Sequence, residues 1–224
     1  MIEKKATESS RETWRLNSLV QTGIGVGKEY FSEEAKEFDS KKVELKIDKG
    51  DLQLIQVLNR TVVNSTYGRW VERASPNFDI SLSQWNDFAE SQSLACMELE
   101  RVTSDAFFKT NPPTKPEDWD NFNQTETKIK VSFKTARSIV QVLVPVMDIL
   151  DSETFGLTLD KDRDAYYEHA LDKDRRLRCI GNLLSQMAEQ KLPVNLDRLS
   201  SIKNRQRINE PDVKRAKFLL EKTH

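Results

Sequence analysis

The chain has 224 residues, 37% hydrophobic and 32% charged, with 35 Lys and Arg set against 36 Asp and Glu and a net charge of −1. A uniformly polybasic nucleic-acid binder is excluded by that balance, while the length suffices to bury a sizeable core. Two His, two Cys and seven Gly make histidine-based catalysis, paired-ligand zinc sites and Gly-dense phosphate loops poor expectations, so the composition favours a binding or assembly component over an enzyme.

The first dozen residues are polar and are expected to fray. Trp14, Leu16, Leu19 and Val20 form an apolar cluster ahead of Gly23, Gly25 and Gly27. A phosphate-binding loop needs glycine at the position held by Thr22 and Ser or Thr where Glu29 stands, and the dinucleotide fingerprint has a different spacing. The glycines therefore read as a flexible loop or irregular strand. Residues 32–42 are polar, suiting a short helix or a linker.

Val43, Leu45 and Ile47 alternate with charged residues, the period of a half-buried strand, and Lys49, Gly50 and Asp51 read as a turn. Residues 52–58 are apolar on both parities and suit either a central strand or a short helix. Residues 66–74 alternate again, with Tyr67, Arg69 and Arg73 on one face, and 78–82 read as a further strand. From Ser83, read as an N-cap, Trp85, Phe88, Ala95, Leu99 and Val102 follow a helical period that fades near Phe107. The Pro-rich stretch 109–127 is the linker candidate. Ile129, Val131 and Phe133 alternate as a strand, and Ala136, Ile139, Val140, Leu143 and Met147 follow as a helix that Pro145 is expected to kink or interrupt. Ile80-Ser81-Leu82 before one helix is echoed by Val131-Ser132-Phe133 before the other, a hint of a repeated strand–helix unit.

The last third reads helical. Leu177, Ile180, Leu184 and Met187 share a face, Asn195 caps a short helix through Leu196, Leu199 and Ile202, and Pro211 opens a final one. The fold class expected is α+β: a small antiparallel sheet with a long helix, then a mainly α-helical C-terminal part. The expected divisions are an arm with a Gly-containing loop (1–42), a strand-rich part plus long helix (43–108), the linker (109–127), and a strand–helix unit with a basic helical end (128–224).

Cys96 and Cys179, each in an apolar-periodic stretch, suit buried reduced thiols, with a disulfide left to geometry. The beginning of the sequence lacks a secretory pattern and no stretch reaches membrane-spanning length, so an intracellular protein, cytoplasmic or nuclear and without a membrane partner, is expected. Asp160, Asp162 and Asp164 imitate the start of a calcium loop, but Ala165 and Leu171 stand where that loop needs Gly and Glu. His169 has no zinc-ligand partner at the proper spacing and no nucleophile beside it, so no cofactor, metal or catalytic residue is assigned.

The charge is unevenly divided. Residues 175–224 hold 12 Lys and Arg against 5 Asp and Glu, a surplus of +7 that leaves −8 for the rest. Lys203, Arg205, Arg207, Lys214, Arg215 and Lys217 could face phosphates or form a solvated helix face. Tyr67, Arg69 and Arg73 on a strand, with Lys46 and Arg60 on neighbouring ones, combine an aromatic ring with cations as single-stranded nucleic acid requires. The alternative is an edge strand protected by positive charge.

The strands leading into Phe78-Asp79-Ile80-Ser81-Leu82-Ser83-Gln84-Trp85 make residues 43–105 resemble the single-stranded-DNA-binding transcriptional coactivators of the positive cofactor four family. That resemblance implies a curved four-stranded sheet followed by a helix, dimerisation, and nucleic-acid contacts at Trp85 and the basic strand face. Asp79 replaces the family's glycine. The first functional expectation is non-enzymatic binding of single-stranded DNA or RNA in replication, transcription or genome packaging. The second is a structural or adaptor subunit of a homo- or hetero-oligomeric assembly such as a viral or phage particle.

Overall fold

The computed structural model describes residues 2–66, 80–108, 112–154 and 163–204. Helix α1 (Ile2–Tyr30) leads through a 3-10 turn (Glu33–Phe38) into β1 (Lys42–Asp48), which passes directly into α2 (Lys49–Thr66). Helix α3 (Leu82–Phe108), a 3-10 turn (Pro116–Asp118) and the short α4 (Trp119–Asn123) precede β2 (Glu126–Ser132), which passes directly into α5 (Phe133–Thr154). Helix α6 (Arg163–Glu189) and a last helix, α7, at residues 196–204 complete the described chain. The α+β class is observed, with one two-stranded antiparallel sheet among long helices in the described residues.

The ribbon pairs Lys42 with Ser132, Leu45 with Ile129 and Asp48 with Glu126. Alternation puts Val43, Leu45, Ile129 and Val131 on an inner face that is 0–3% exposed. A two-stranded ribbon is marginal alone. Here its inner face is buried in a cluster running from Val26 to Ile202, with contributions from α1, α2, α3, α5, α6 and α7. Strands from the expected second and fourth parts thus share one sheet and one core. The outer edge of β1 is closed by α6. Gln190 accepts from the Glu44 N–H (3.1 Å) and donates to its carbonyl (2.7 Å). One turn earlier, Gln186 does the same for Lys46 at 2.7 and 2.9 Å. Two glutamines four apart, one on the last turn of α6 and one just past it, stand in for a third strand.

Several elements differ from expectation. The helix α1 already begins at Ile2, and its glycines are helical. Gly23 and Gly27 face α5: a Cβ on Gly23 would lie 2.7 Å from the Gln141 carbonyl oxygen and 2.7 Å from the Phe88 ring, whereas one on Gly25 would meet nothing within 4 Å. Gln141 stands four residues before Pro145, so its carbonyl has no helical N–H to accept. The helix α5 continues through Pro145, and α1 comes closest where that carbonyl is released. The Gln141 side chain in turn donates to the Gly23 carbonyl at 3.2 Å.

Lys49, Gly50 and Asp51 open a helix rather than forming a turn, and of the two readings of 52–58 the helix is the one observed. Leu52, Ile55, Asn59, Val62 and Thr66 form its buried stripe, and polar Asn59 and Thr66 interrupt the apolar period that would have revealed it. Asn59 donates to Gln92 (2.6 Å), which donates to the Ser138 carbonyl (3.2 Å), tying α2, α3 and α5 together. The strand expected at 78–82 is absent from its described part, Ile80 to Leu82. Ser81, not Ser83, starts α3: its hydroxyl accepts from the Gln84 N–H (3.2 Å) and its N–H donates to the Gln84 side chain (2.9 Å), a reciprocal capping box. Ser132 also caps its helix, α5, accepting from the Thr135 N–H at 3.2 Å, while its own N–H donates to Glu98. The Ile80-Ser81-Leu82 and Val131-Ser132-Phe133 echo is therefore one of helix caps. The strand-into-helix repeat is β1–α2 and β2–α5.

The C-terminal reading holds where it is described. Leu177, Ile180, Leu184 and Met187 are buried on α6, which ends with Lys191 at a φ of 56° and the Leu192 N–H bonded to the Met187 carbonyl. Asn195 caps α7, accepting from the Asp197 N–H at 3.1 Å. Cys96 and Cys179 are unpaired, buried thiols, and burial pushes the Cys179 thiol pKa up. No helix among the described residues is long and apolar enough to cross a membrane.

Two sets of variants test this packing by urea denaturation. Gly25→Ala is expected to leave stability unchanged or raise it by up to about 1 kcal/mol, because alanine suits an open helical position better than glycine. Gly23→Ala is expected to cost ~1–3 kcal/mol by pushing α1 off the α5 backbone, with Gly27→Ala between the two, since only the Gln141 side chain must move. Replacing Gln186 and Gln190 together by Ala is expected to cost roughly 1–3 kcal/mol. It should also speed hydrogen exchange at the Glu44 and Lys46 amides while leaving that of the inward-bonded Leu45 governed by global unfolding.

Candidate nucleic-acid interface

Alternation that buries one ribbon face exposes the other. Lys42, Glu44, Lys46 and Asp48 of β1 lie opposite Ser132, Lys130, Lys128 and Glu126 of β2 on the solvent side. The charges are graded along the ribbon, with four lysines toward the Lys42 end and three acids, of which Asp48 and Glu126 pair across the other end. Glu44 reaches Lys128 at 3.6 Å, an exposed pair of small energetic weight. Lys46 faces Lys128 directly, and like charges opposite one another on a ribbon are destabilising. Among the described residues no ion pair engages Lys46 or Lys130.

Beside the β2 edge, α3 forms the other wall of a groove of about 640 Å³. Lys42, Lys128, Lys130 and Arg101 bring four cations to its lining, with Asp105 as the acid and Val102 on its floor. Glu98 closes one end. It pairs with Lys42 (2.7 Å) and accepts from the Ser132 N–H (3.0 Å), the Ser132 hydroxyl (2.7 Å) and the Thr135 hydroxyl (2.7 Å). Burial alone would raise the Glu98 pKa, but Lys42, Thr135 and Ser132 outweigh it and hold the carboxyl at about 2. At the opposite end of the ribbon, burial together with Asp51 and Glu126 raises the Asp48 pKa.

The residues expected from sequence are dispersed. Lys46 lies at the centre of the exposed ribbon face. Arg60 sits on α2, not on a strand, and pairs with Glu100 of α3 at 2.5 Å. Trp85 is 1% exposed, its indole N–H donating to the Thr66 carbonyl at 3.1 Å; it anchors the core between α1, α2, α3 and α5 and presents no ring face to a base. Lys203 is exposed on α7. Tyr67, Arg69, Arg73, Arg205, Arg207, Lys214, Arg215 and Lys217 lie outside the described residues, as do Phe78, Asp79 and the Asp160 and Asp162 of the calcium-like stretch. The four-stranded sheet implied by the coactivator resemblance has, among the described residues of 43–105, the single strand β1. Sequence reasoning passed over Lys42, Arg101, Lys128 and Lys130. The alternation of Lys128 and Lys130 about Ile129 was a visible signal, but only the pairing with β1 brings them to Lys46.

The Glu98 hub has a pH signature. Its folded pKa lies below the ordinary 4.5, so its contribution is present above about pH 4.5 and is lost as pH falls toward 2. Across that window the stability difference between the natural chain and Glu98→Gln is expected to shrink by ~1–2 kcal/mol, solvent screening of the half-exposed Lys42 lowering the full linkage value, measured by urea denaturation at stepped pH. No protein-family model, no curated protein and no solved structure matches this chain.

Proposed function

We propose that this chain is a non-enzymatic nucleic-acid-binding protein that takes the sugar–phosphate backbone of single-stranded DNA or RNA across the exposed face of its ribbon. The observation that carries the reading is the Lys46–Lys128 pair, two lysines in direct register on the exposed ribbon face and flanked by Lys42, Lys130 and Arg101. The exposed Glu44–Lys128 contact at 3.6 Å offsets this like-charge pair only weakly, and a phosphate laid between the two lysines would remove the remaining cost. The cations are long, flexible lysines and one arginine, with no aromatic ring among the described groove residues, which suits contacts to the backbone rather than readout of bases. Lys203 and the basic residues after it would extend the phosphate contacts.

The test is fluorescence anisotropy of a labelled oligothymidine over a series of salt concentrations. Binding is expected to weaken steeply with salt. Lys46→Glu with Lys128→Glu should weaken it by roughly 10-fold or more at low salt and lower the salt slope by about 1.4, two single-strand contacts' worth. The control Lys115→Glu, on the loop before α4, should change neither. Binding that is absent at low salt, or indifferent to the double reversal, overturns the reading.

A second reading, a subunit of a larger assembly, is favoured by a different observation: the edge of β2 away from β1 carries backbone groups with no bonded partner among the described residues. Light scattering over a range of protein concentration tests its homotypic form, which a strict monomer throughout would exclude.

A further inference from the structure

The direction of the backbone groups on β2 follows from those of β1. The N–H and C=O of Glu44 and Lys46 are taken by Gln190 and Gln186 on the outer side. In an antiparallel pair the hydrogen-bonding direction alternates, so Val43, Leu45 and Ile47 exchange bonds with Val131, Ile129 and Thr127. The N–H and C=O groups of Lys128 and Lys130 then point away from β1, into the groove bordered by Arg101, Val102 and Asp105. At Ser132, one step further along that edge, Glu98 already accepts the outward N–H. The two edges are thus treated differently: α6 and the residue after it seal the β1 edge with side-chain amides, and among the described residues the β2 edge is left open at Lys128 and Lys130, beside a groove of about 640 Å³.

We propose that this open edge is a strand-addition site for an extended acidic peptide segment of a partner protein, one that alternates acidic and apolar side chains. The proposal rests on the second reading above and names the partner chemistry that it leaves open. Strand addition supplies main-chain hydrogen bonds at Lys128 and Lys130, and side-chain alternation supplies the selectivity. Peptide residues opposite Lys128 and Lys130 share the lysines' face, where Lys42, Lys128, Lys130 and Arg101 favour carboxylates. The intervening peptide residues turn to the other face, toward Val102 and Ala106 beside Ile129, where small apolar side chains fit. A second copy's β2 is a poor occupant. Self-pairing of this edge sets the lysines of one copy against those of the other, the device by which edge strands resist pairing with themselves.

The experiment uses the full, isotope-labelled chain and acetyl-Glu-Val-Glu-Val-Glu-amide as probe, with binding and amide hydrogen exchange both followed by NMR. Saturating peptide is expected to slow exchange at the Lys128 and Lys130 amides at least ten-fold and to leave Glu44 and Lys46, already bonded to glutamines, unchanged. Methylating the peptide's interior glutamate nitrogen, which removes a donor aimed at β2, should weaken binding at least ten-fold, while methylating its valine nitrogens should not. No binding at millimolar peptide, or equal binding of all three peptides, overturns the proposal. It is also overturned if a 12-residue oligothymidine, and not the peptide, protects Lys128 and Lys130, because the groove then belongs to nucleic acid. Self-association is read separately by light scattering, so failure of the peptide site and failure of homotypic assembly are distinguishable.

Discussion

A sheet of only two strands has no interior strand, so each of its strands must find partners for an outward row of N–H and C=O groups. This protein meets that constraint with side chains from helices that also bury the ribbon's inner face. Gln186 on the last turn of α6 and Gln190 just past its end lie one turn apart, and the 5.4 Å helical repeat approximates the spacing between alternate strand residues closely enough for both amides to bond the β1 backbone. Glu98 of α3 does the corresponding task at one point of β2, through a carboxylate that also fixes Lys42 and the cap of α5. Since α6 and α3 hold opposite edges, the ribbon sets the positions of the helices as much as the helices hold the ribbon. The same geometry leaves Lys128 and Lys130 open on one edge, so the candidate partner surface is a direct consequence of how the sheet is closed.

Helix α5 carries the rest of the packing, touching α1, α2, α3, α6 and both strands. Its proline costs an internal hydrogen bond, and the released Gln141 carbonyl sits where α1 has glycine. Gly23 is therefore a packing residue, selected by close approach rather than by backbone freedom. The glycines looked like a loop in the sequence because their usual local meaning is a break, and the reason for them lies on another helix 118 positions away. Burial of the Asn59–Gln92 pair has a similar consequence. It links three helices by two hydrogen bonds while leaving the Asn59 Oδ1 without a partner, and it disguises the apolar period of α2 in the sequence.

Much of the fold was nevertheless legible. The period-2 run at 43–47 is a strand, and so is the one read through 129–133 as far as Ser132, Phe133 instead opening α5; the long helices after Ser81 and Ser132 follow their apolar stripes, and Asn195 caps α7 as its position suggests. Each of these depends on neighbours a few residues apart. The candidate site was legible only at Lys46. Arg60 and Trp85 carry residue types suited to nucleic acid, but one is on a helix paired with Glu100 and the other fills the core. A tryptophan at the first buried turn of a helix has the same local pattern whether its ring meets a base or a side chain.

By itself the sequence determined the local periods, the scarcity of histidine and glycine, and the division of charge between a basic end and an acidic remainder, because these are properties of composition and of residues close in the chain. The tertiary structure decided which strand meets which, and with it the meeting of Lys46 and Lys128, the closure of one edge and the opening of the other. Those outcomes depend on antiparallel register between segments some 80 residues apart, and register is fixed by burial of a common apolar face against helices contributed from along the chain. Charge placement at the candidate site is a by-product of that burial: once Val43, Leu45, Ile129 and Val131 turn inward, the lysines between them have only the outer face to occupy.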